Sequence, residues 1–211
     1  KEFEVYGVPL HESRPRFEEA IGAIKRLWTE DSVTHKGKYW QFEEVHLMPR
    51  PVQQPHPPIW IAAISSEESF VYAAKNGFNI MIVPYAGKPG QLQEFVKLYR
   101  KVWAESGHGA GKEKIQVSQF CYVAETAKEA RAGFDRIATR YIETFADAVV
   151  SWKGVSSDQY PGYDKMVASI LATTPQKIID TNSGFVGTPD EVVKQVQQLR
   201  DTFGECEPSM Q

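Results

Sequence analysis

The sequence predicts an α/β protein built on a parallel sheet, and three observations carry that expectation. Two short apolar runs, residues 59–64 (IWIAAI) and 79–84 (NIMIVP), show no polar alternation, the pattern of strands buried on both faces. Stretches with apolar residues recurring at three and four follow them, the spacing of a helix with one apolar stripe. The strand–helix order recurs through the chain as four βα units, which implies parallel strands joined by right-handed crossovers. A closed βα barrel takes about twice as many units, so these units alone leave two open sheet edges.

The elements follow in order. Residues 1–13 are irregular, punctuated by Gly7 and Pro9. Residues 14–29 read as a helix with Phe17, Ala20, Ile21, Ile24, Leu27 and Trp28 on one stripe; Ser13 is its expected N-cap and Arg14-Pro15 opens the first turn. Residues 33–42 (VTHKGKYWQF) read as a β-hairpin turning at Lys36-Gly37-Lys38. Residues 49–58 hold five prolines, which no helix or central strand passes through. This stretch is either a domain linker or an extended lead into the strand at 59–64, and the immediate start of that strand favours the lead-in. A helix over about 67–76 ends at Gly77. After the strand at 79–84, a helix spans 91–106 with Leu92, Phe95, Val96, Tyr99, Val102 and Trp103 on one face, and the glycines of 107–111 break it. A strand is expected over 115–123, then a long helix over 126–150 with Phe134, Ile137, Tyr141, Phe145 and Val149 facing inward. Residues 154–164 read as loop, 165–182 as helical, and Phe185-Val186 as a very short strand. Thr188 then caps a helix that opens with Pro189.

Composition narrows the function. The 211 residues carry 24 Lys and Arg against 27 Asp and Glu, a net charge of −3, and are 42% apolar. That is ordinary for a globular chain and excludes collagen-like, coiled-coil and disordered classes. No basic excess exists to neutralise a phosphate backbone, so no nucleic-acid partner is expected. No apolar run reaches the length of a membrane helix. The two cysteines, Cys121 and Cys206, lie far apart and form neither a disulfide framework nor a metal motif. The first ten residues, KEFEVYGVPL, do not read as a secretory leader, so a reducing, cytoplasmic setting is expected.

The feature with the most chemistry is the junction Ala62-Ala63-Ile64-Ser65-Ser66-Glu67-Glu68-Ser69, where a buried strand ends and a helix starts. Backbone N–H groups at a helix start lack partners and attract phosphate. Ser65 and Ser66 can add hydroxyl donors, with Ser69 one turn on. The ordinary alternative is plain N-capping by Ser66, and Glu67 and Glu68 would repel an anion they faced. Arg14 stands at a helix start, where a cation is unfavourable unless an anion is near; a solvated surface arginine is the other reading. None of the five histidines has metal-ligand spacing, and no metal site is expected. Glu18-Glu19 and Glu43-Glu44 read as solvated pairs. Neither a GxSxG, a Walker A nor a GxGxxG motif is present.

Four segments together resemble the bacterial luciferase-like flavin monooxygenases. These are Ser13-Arg14 leading into Phe17-Glu18-Glu19; the hairpin Gly37-Lys38-Tyr39-Trp40-Gln41-Phe42; the run Pro57-Pro58-Ile59-Trp60-Ile61-Ala62 with Ser65-Ser66 and Ala73-Ala74-Lys75-Asn76-Gly77; and Gly184-Phe185-Val186-Gly187-Thr188-Pro189-Asp190-Glu191-Val192. The resemblance implies a single domain over 1–211, the central to C-terminal part of a TIM (β/α)8 barrel. It implies a barrel that starts before Lys1, with roughly three to four βα units upstream, and whose last strand and helix lie beyond the segment 204–211. An internal piece of this kind is not expected to turn over alone. The implied activity is a monooxygenase in which reduced FMN and O2 act on a small aldehyde, ketone or terpene-like substrate, with a separate flavin reductase as partner. Carried over by position, Ser65, Ser66 and Ser69 fall on the phosphate-binding junction and Arg14 on an arginine that binds the same phosphate. Val83 and Pro84 fall beside the isoalloxazine, and Glu2 on an acidic position near the ring. Alternatives are deazaflavin F420 as cofactor of a hydride-transfer enzyme, a non-catalytic flavin-binding subunit, and a sugar- or phosphate-binding α/β domain. A homodimer would cover the open edges.

Overall fold

The computed structural model describes residues 2–86, 90–149 and 168–210. The chain divides into two compact units, with the boundary after Pro58. That boundary falls on the proline-rich stretch, which carries no regular element and runs directly into the first strand of the second unit.

The first unit holds α1 (Glu2–Val5), a 3-10 turn at Leu10–Glu12, α2 (Ser13–Thr29), β1 (Val33–Lys36) and β2 (Gln41–Val45). β1 and β2 form the expected antiparallel hairpin, with Lys36 opposite Gln41 and the Gly37 N–H donating to Trp40 O at 3.0 Å. Ser13 is not the N-cap. The 3-10 turn runs straight into the helix, so Glu12 takes the cap position without a side-chain capping bond, and the Ser13 hydroxyl donates back to Leu10 O at 2.8 Å. Trp28 and the His56 ring meet at 5.8 Å, which ties the proline-rich segment to α2.

Glu19 is no solvated carboxylate. Its oxygens accept from the backbone N–H groups of Lys38 (3.0 Å), Tyr39 (3.1 and 3.2 Å) and Trp40 (2.8 Å), and one lies 3.2 Å from His35 Nε2. Successive backbone amides in a turn make a natural anion cradle, and here a side chain of α2 fills it. Gly37 leaves the room: a Cβ there would lie 2.0 Å from Glu19 Oε1. Burial pushes the Glu19 carboxyl up, but the Trp40 amide, His35 and the Tyr39 and Lys38 amides outweigh it, and the net direction is down from 4.5. A depressed carboxyl stabilises the fold above its unfolded value and stops doing so as pH falls through the folded value. Thermal melts across pH should therefore show Glu19→Gln costing stability at neutral pH, with the gap to the parent closing below pH 4.5. A gap independent of pH would contradict this role.

The second unit carries a five-stranded parallel sheet. Its elements are β3 (Trp60–Ala62), α3 (Glu67–Lys75), β4 (Asn79–Ile82), a 3-10 turn (Pro84–Ala86), α4 (Gln91–Glu105), β5 (Ile115–Val123), α5 (Ala127–Val149), α6 (Pro175–Asp180), β6 (Gly184–Gly187), α7 (Pro189–Phe203) and β7 (Glu207–Met210). The strand order is β3-β4-β5-β6, and β7 also pairs with β5. β5 is long enough to serve two partners in succession, Gln116–Gln119 pairing with β7 and Phe120–Val123 with β6.

Three expectations are corrected here. β3 is shorter than 59–64 and is not buried on both faces: it is the edge of this sheet, and Trp60 and Ile61 are only half-buried. The segment 204–211 does carry a strand. Glu207-Pro208-Ser209-Met210 has no apolar pattern, but parallel pairing uses the backbone, and Arg100 of α4 positions its approach by donating to Phe203 O and to Glu205 O (2.6 Å) while pairing with Glu113 at 3.2 Å. The inward stripe of α5 is Ala130, Phe134, Ala138 and Ile142, whereas Ile137 is 50% exposed. The side chain of Val149, the loop at 154–164 and residues 165–167 lie outside the described residues.

Residues 1–13, expected to be irregular, carry α1 and a 3-10 turn, and the helical reading of 165–182 breaks at 172–174 before α6; the other elements form as their sequences predict. α3 stops where Gly77 takes φ +68° and donates to Ala74 O, a conformation costly for other residues. α3 and α4 cover the sheet with Phe70, Val96, Tyr99 and Trp103, all buried, and Tyr99 Oη donates to Phe78 O at 3.0 Å. On β5, Phe120 packs against Phe134 and Tyr141 of α5, centroids 5.9 and 5.0 Å away. Thr188 caps α7 in a full capping box with Glu191. Thr188→Ala should cost about 1 kcal/mol in denaturant unfolding; no change would mean the cap carries none of the helix's stability.

Candidate functional site at the strand ends

The parallel topology sends β3, β4 and β5 out at one end of the sheet, the end where βα folds gather their ligand-binding loops. Ser65 and Ser66 follow β3. Val83 and Pro84 follow β4, the neighbouring strand, and pairing continues past β3 through Ala63 N–H donating to Met81 O at 2.9 Å. Ser65 is exposed, and Ser66 and Ser69 are half-buried. The structure thus brings together five of the expected residues, the three serines with Val83 and Pro84, at one end of two adjacent strands.

The serine junction differs from the other hydroxyl-led helix starts. Thr126, Thr174 and Thr188 each accept from the amide three residues on, at 3.2, 3.1 and 3.4 Å. Ser66 does not cap α3 in this way. Its backbone carbonyl accepts from Ser69 N–H at 3.0 Å, and its hydroxyl donates to Glu68 Oε2 at 2.6 Å. Ser66 thus holds the N-cap position of α3, as the ordinary reading has it, but without a side-chain cap bond. Hydroxyl donors beside the positive end of a nine-residue helix suit a phosphate group, provided the Glu68 carboxylate turns away from the Ser66 hydroxyl.

Arg14 lies in the first unit, half-buried in the first turn of α2. Two positions along, Arg16 pairs with Glu12 at 2.8 Å and stacks over Tyr39 at 4.7 Å. Glu2 opens α1, and its side chain lies outside the described residues. Among the described residues no group of three His, Cys, Asp or Glu side chains comes together as a metal would need, and no helix is long and apolar enough to cross a membrane. Both cysteines are free thiols, and burial pushes both pKa values up.

Sequence reasoning passed over Tyr85. It follows Val83 and Pro84 directly, packs on Phe120 at 4.8 Å, and its hydroxyl meets that of Tyr141 at 3.1 Å. Burial and then the Tyr141 hydrogen bond push its pKa up, so the phenol stays protonated and polar at the strand end. The available signal was its position after a buried strand; the pairing with Tyr141 was beyond reach, because those residues are 56 apart in sequence.

A parallel sheet whose strands alternate with helices defines an α/β protein of the βα class. The family model of luciferase-like monooxygenase matches residues 1–206, and the chain belongs to that family. It is 26% identical over 198 residues to the oxygenase component of a flavin-dependent trigonelline monooxygenase of Acinetobacter baylyi, covering 92% of this chain and 52% of the relative. It is also 26% identical over 217 residues to an FMNH2-dependent dimethylsulfone monooxygenase of Pseudomonas putida, covering 94% of this chain and 54% of the relative. Among solved structures, monooxygenase RslO1 from Streptomyces bottropensis matches the whole chain with a TM-score of 0.80 and 32% identity, over 57% of its own length. The chain spans about half the length of the curated relatives it matches.

Proposed function

We propose that this chain is part of a flavin-dependent monooxygenase that uses reduced FMN and O2 on a small organic substrate of the aldehyde, ketone or terpene-like class. The observation that carries the reading is the serine junction: a hydroxyl-rich helix start at the C-terminal end of a parallel strand, with Ser66 at the N-cap position making no side-chain cap bond. Ser65, Ser66 and Ser69 with the first-turn amides of α3 would hold the FMN phosphate. Val83 and Pro84 would form an apolar wall for the ring. Bound reduced flavin supplies the electrons that activate O2; the protein's share is to bind and orient the flavin and keep water from the ring. The name of the dimethylsulfone enzyme supports FMN, and the description of the trigonelline enzyme as an oxygenase component supports a separate flavin reductase as partner. Because the family model runs across the boundary at Pro58, we read 1–211 as one domain, part of a barrel whose whole protein would work as a cytoplasmic homodimer.

The test supplies the whole protein that contains this chain with FMN, NADH and a general flavin reductase under 18O2, over a panel of aldehydes, ketones and terpenes. The expected result is one labelled oxygen in a product. Tight FMN binding with no product across the panel would favour the non-catalytic subunit, and hydride transfer with F420 would favour the deazaflavin enzyme.

A further inference from the structure

We infer that Tyr141, on α5, is a positioning residue for the flavin site: through its hydroxyl bond to Tyr85 it sets the place of the Val83-Pro84 wall before a flavin ring arrives. The inference rests on the reading of Val83 and Pro84 as that wall, and it adds a side chain from an element the reading does not use. Val83 and Pro84 lead from β4 into the 3-10 turn Pro84–Ala86, and Tyr85 is the middle residue of that turn. A 3-10 turn has poorer hydrogen-bond geometry than an α-helix, so the contacts of Tyr85 help to fix where it sits.

Those contacts form an aromatic cluster within the second unit. The Tyr85 ring lies 4.8 Å from Phe120 of β5, and Phe120 meets Tyr141 edge-on at 5.0 Å. Tyr141 stacks on Phe145, one turn along α5, at 5.8 Å. The two phenols add the polar link, hydroxyl to hydroxyl at 3.1 Å, one donating and the other accepting. Tyr85 is half-buried. Without the Tyr141 hydroxyl its phenol loses that partner, and a shielded polar group left unpaired is costly. The turn then leaves its place more readily, and a ring arriving on the wall must order it, which weakens binding. The effect falls on the ring and not on the phosphate, so FMN and riboflavin should lose equally. That is the opposite signature to the loss of a phosphate donor.

The test is equilibrium titration of the whole protein that contains this chain with FMN and with riboflavin. Tyr141→Phe should weaken both flavins by the same factor, on the order of two- to tenfold, the share of one hydroxyl bond. Tyr85→Phe breaks the same bond and should cost as much, and the double variant should cost no more than either single one. Tyr141 is 37% exposed and each change deletes one oxygen, so the variants fold, which thermal melts check. Ile137→Ala, on the same helix, should move neither flavin. Riboflavin affinity unmoved by Tyr141→Phe, a loss confined to FMN, losses that add in the double variant, or an equal loss in Ile137→Ala would each overturn the proposal. Val83→Ala tests the wall itself and should weaken both flavins. If it does and Tyr141→Phe does not, the wall stands and the positioning role falls; if neither moves riboflavin, or the parent binds neither flavin, the wall reading falls as well.

Discussion

Replacing Ser65 and Ser66 together with alanine is expected to weaken FMN binding by about 1–3 kcal/mol, because two hydroxyl donors to a phosphate dianion are lost and charge-assisted bonds are the strong ones. At about 1.4 kcal/mol per tenfold, that is roughly a five- to 150-fold rise in Kd. The fold should be little affected. Ser65 is exposed, and Ser66 makes no side-chain cap on α3, so the variant forfeits none of the capping energy that Thr188→Ala forfeits on α7. Flavin fluorescence quenching reads the affinity and thermal melting reads the fold. An FMN affinity unchanged by the double substitution would remove the serines from the site. A melting temperature lowered as much as by Thr188→Ala would restore plain capping as their role.

The second large effect is on stability. Phe134→Ala should cost about 3–5 kcal/mol, and Ile137→Ala, one turn away on the same helix, should stay within about 0.5 kcal/mol. Phe134 is 2% exposed and packs on Phe120 and its neighbours across β5, β6 and α6, whereas Ile137 is 50% exposed. Leaving a cavity in that cluster forfeits both the transfer energy of the ring and its contacts. Urea unfolding of the two variants compares them directly. Equal costs would mean that α5 presents a different face to the sheet.

The pair also shows where sequence reasoning reached its limit. A run of apolar residues at three and four marks α5 as a helix, yet Phe134, Ile137 and Tyr141 all satisfy that spacing. Which of them face the sheet is decided by the crossing of α5 over β5 and β6, a tertiary property. The βα order, the hairpin, Gly77 as a stop and Thr188 as a cap were all legible, because each rests on local backbone rules. β7 was not: a charged, proline-containing strand is recognisable only once a partner edge exists, and that edge belongs to β5, some ninety residues earlier. The serine junction was visible as a motif; that Ser66 leaves α3 without a side-chain cap was not, since it depends on where the hydroxyl turns. Glu19 was misjudged for a related reason. Beside Glu18 it reads as surface charge, and only the return of the hairpin amides 19 to 21 residues later gives it partners.

The most direct test of the central claim is a paired equilibrium titration of the protein with FMN and with riboflavin, which share the ring and differ in the phosphate. If the strand-end serines hold the phosphate, FMN binds far more tightly than riboflavin, and the Ser65→Ala/Ser66→Ala variant shrinks that gap while leaving riboflavin affinity unchanged. Equal affinity for the two flavins, or a gap that survives the double substitution intact, would contradict the assignment of this junction as the phosphate site.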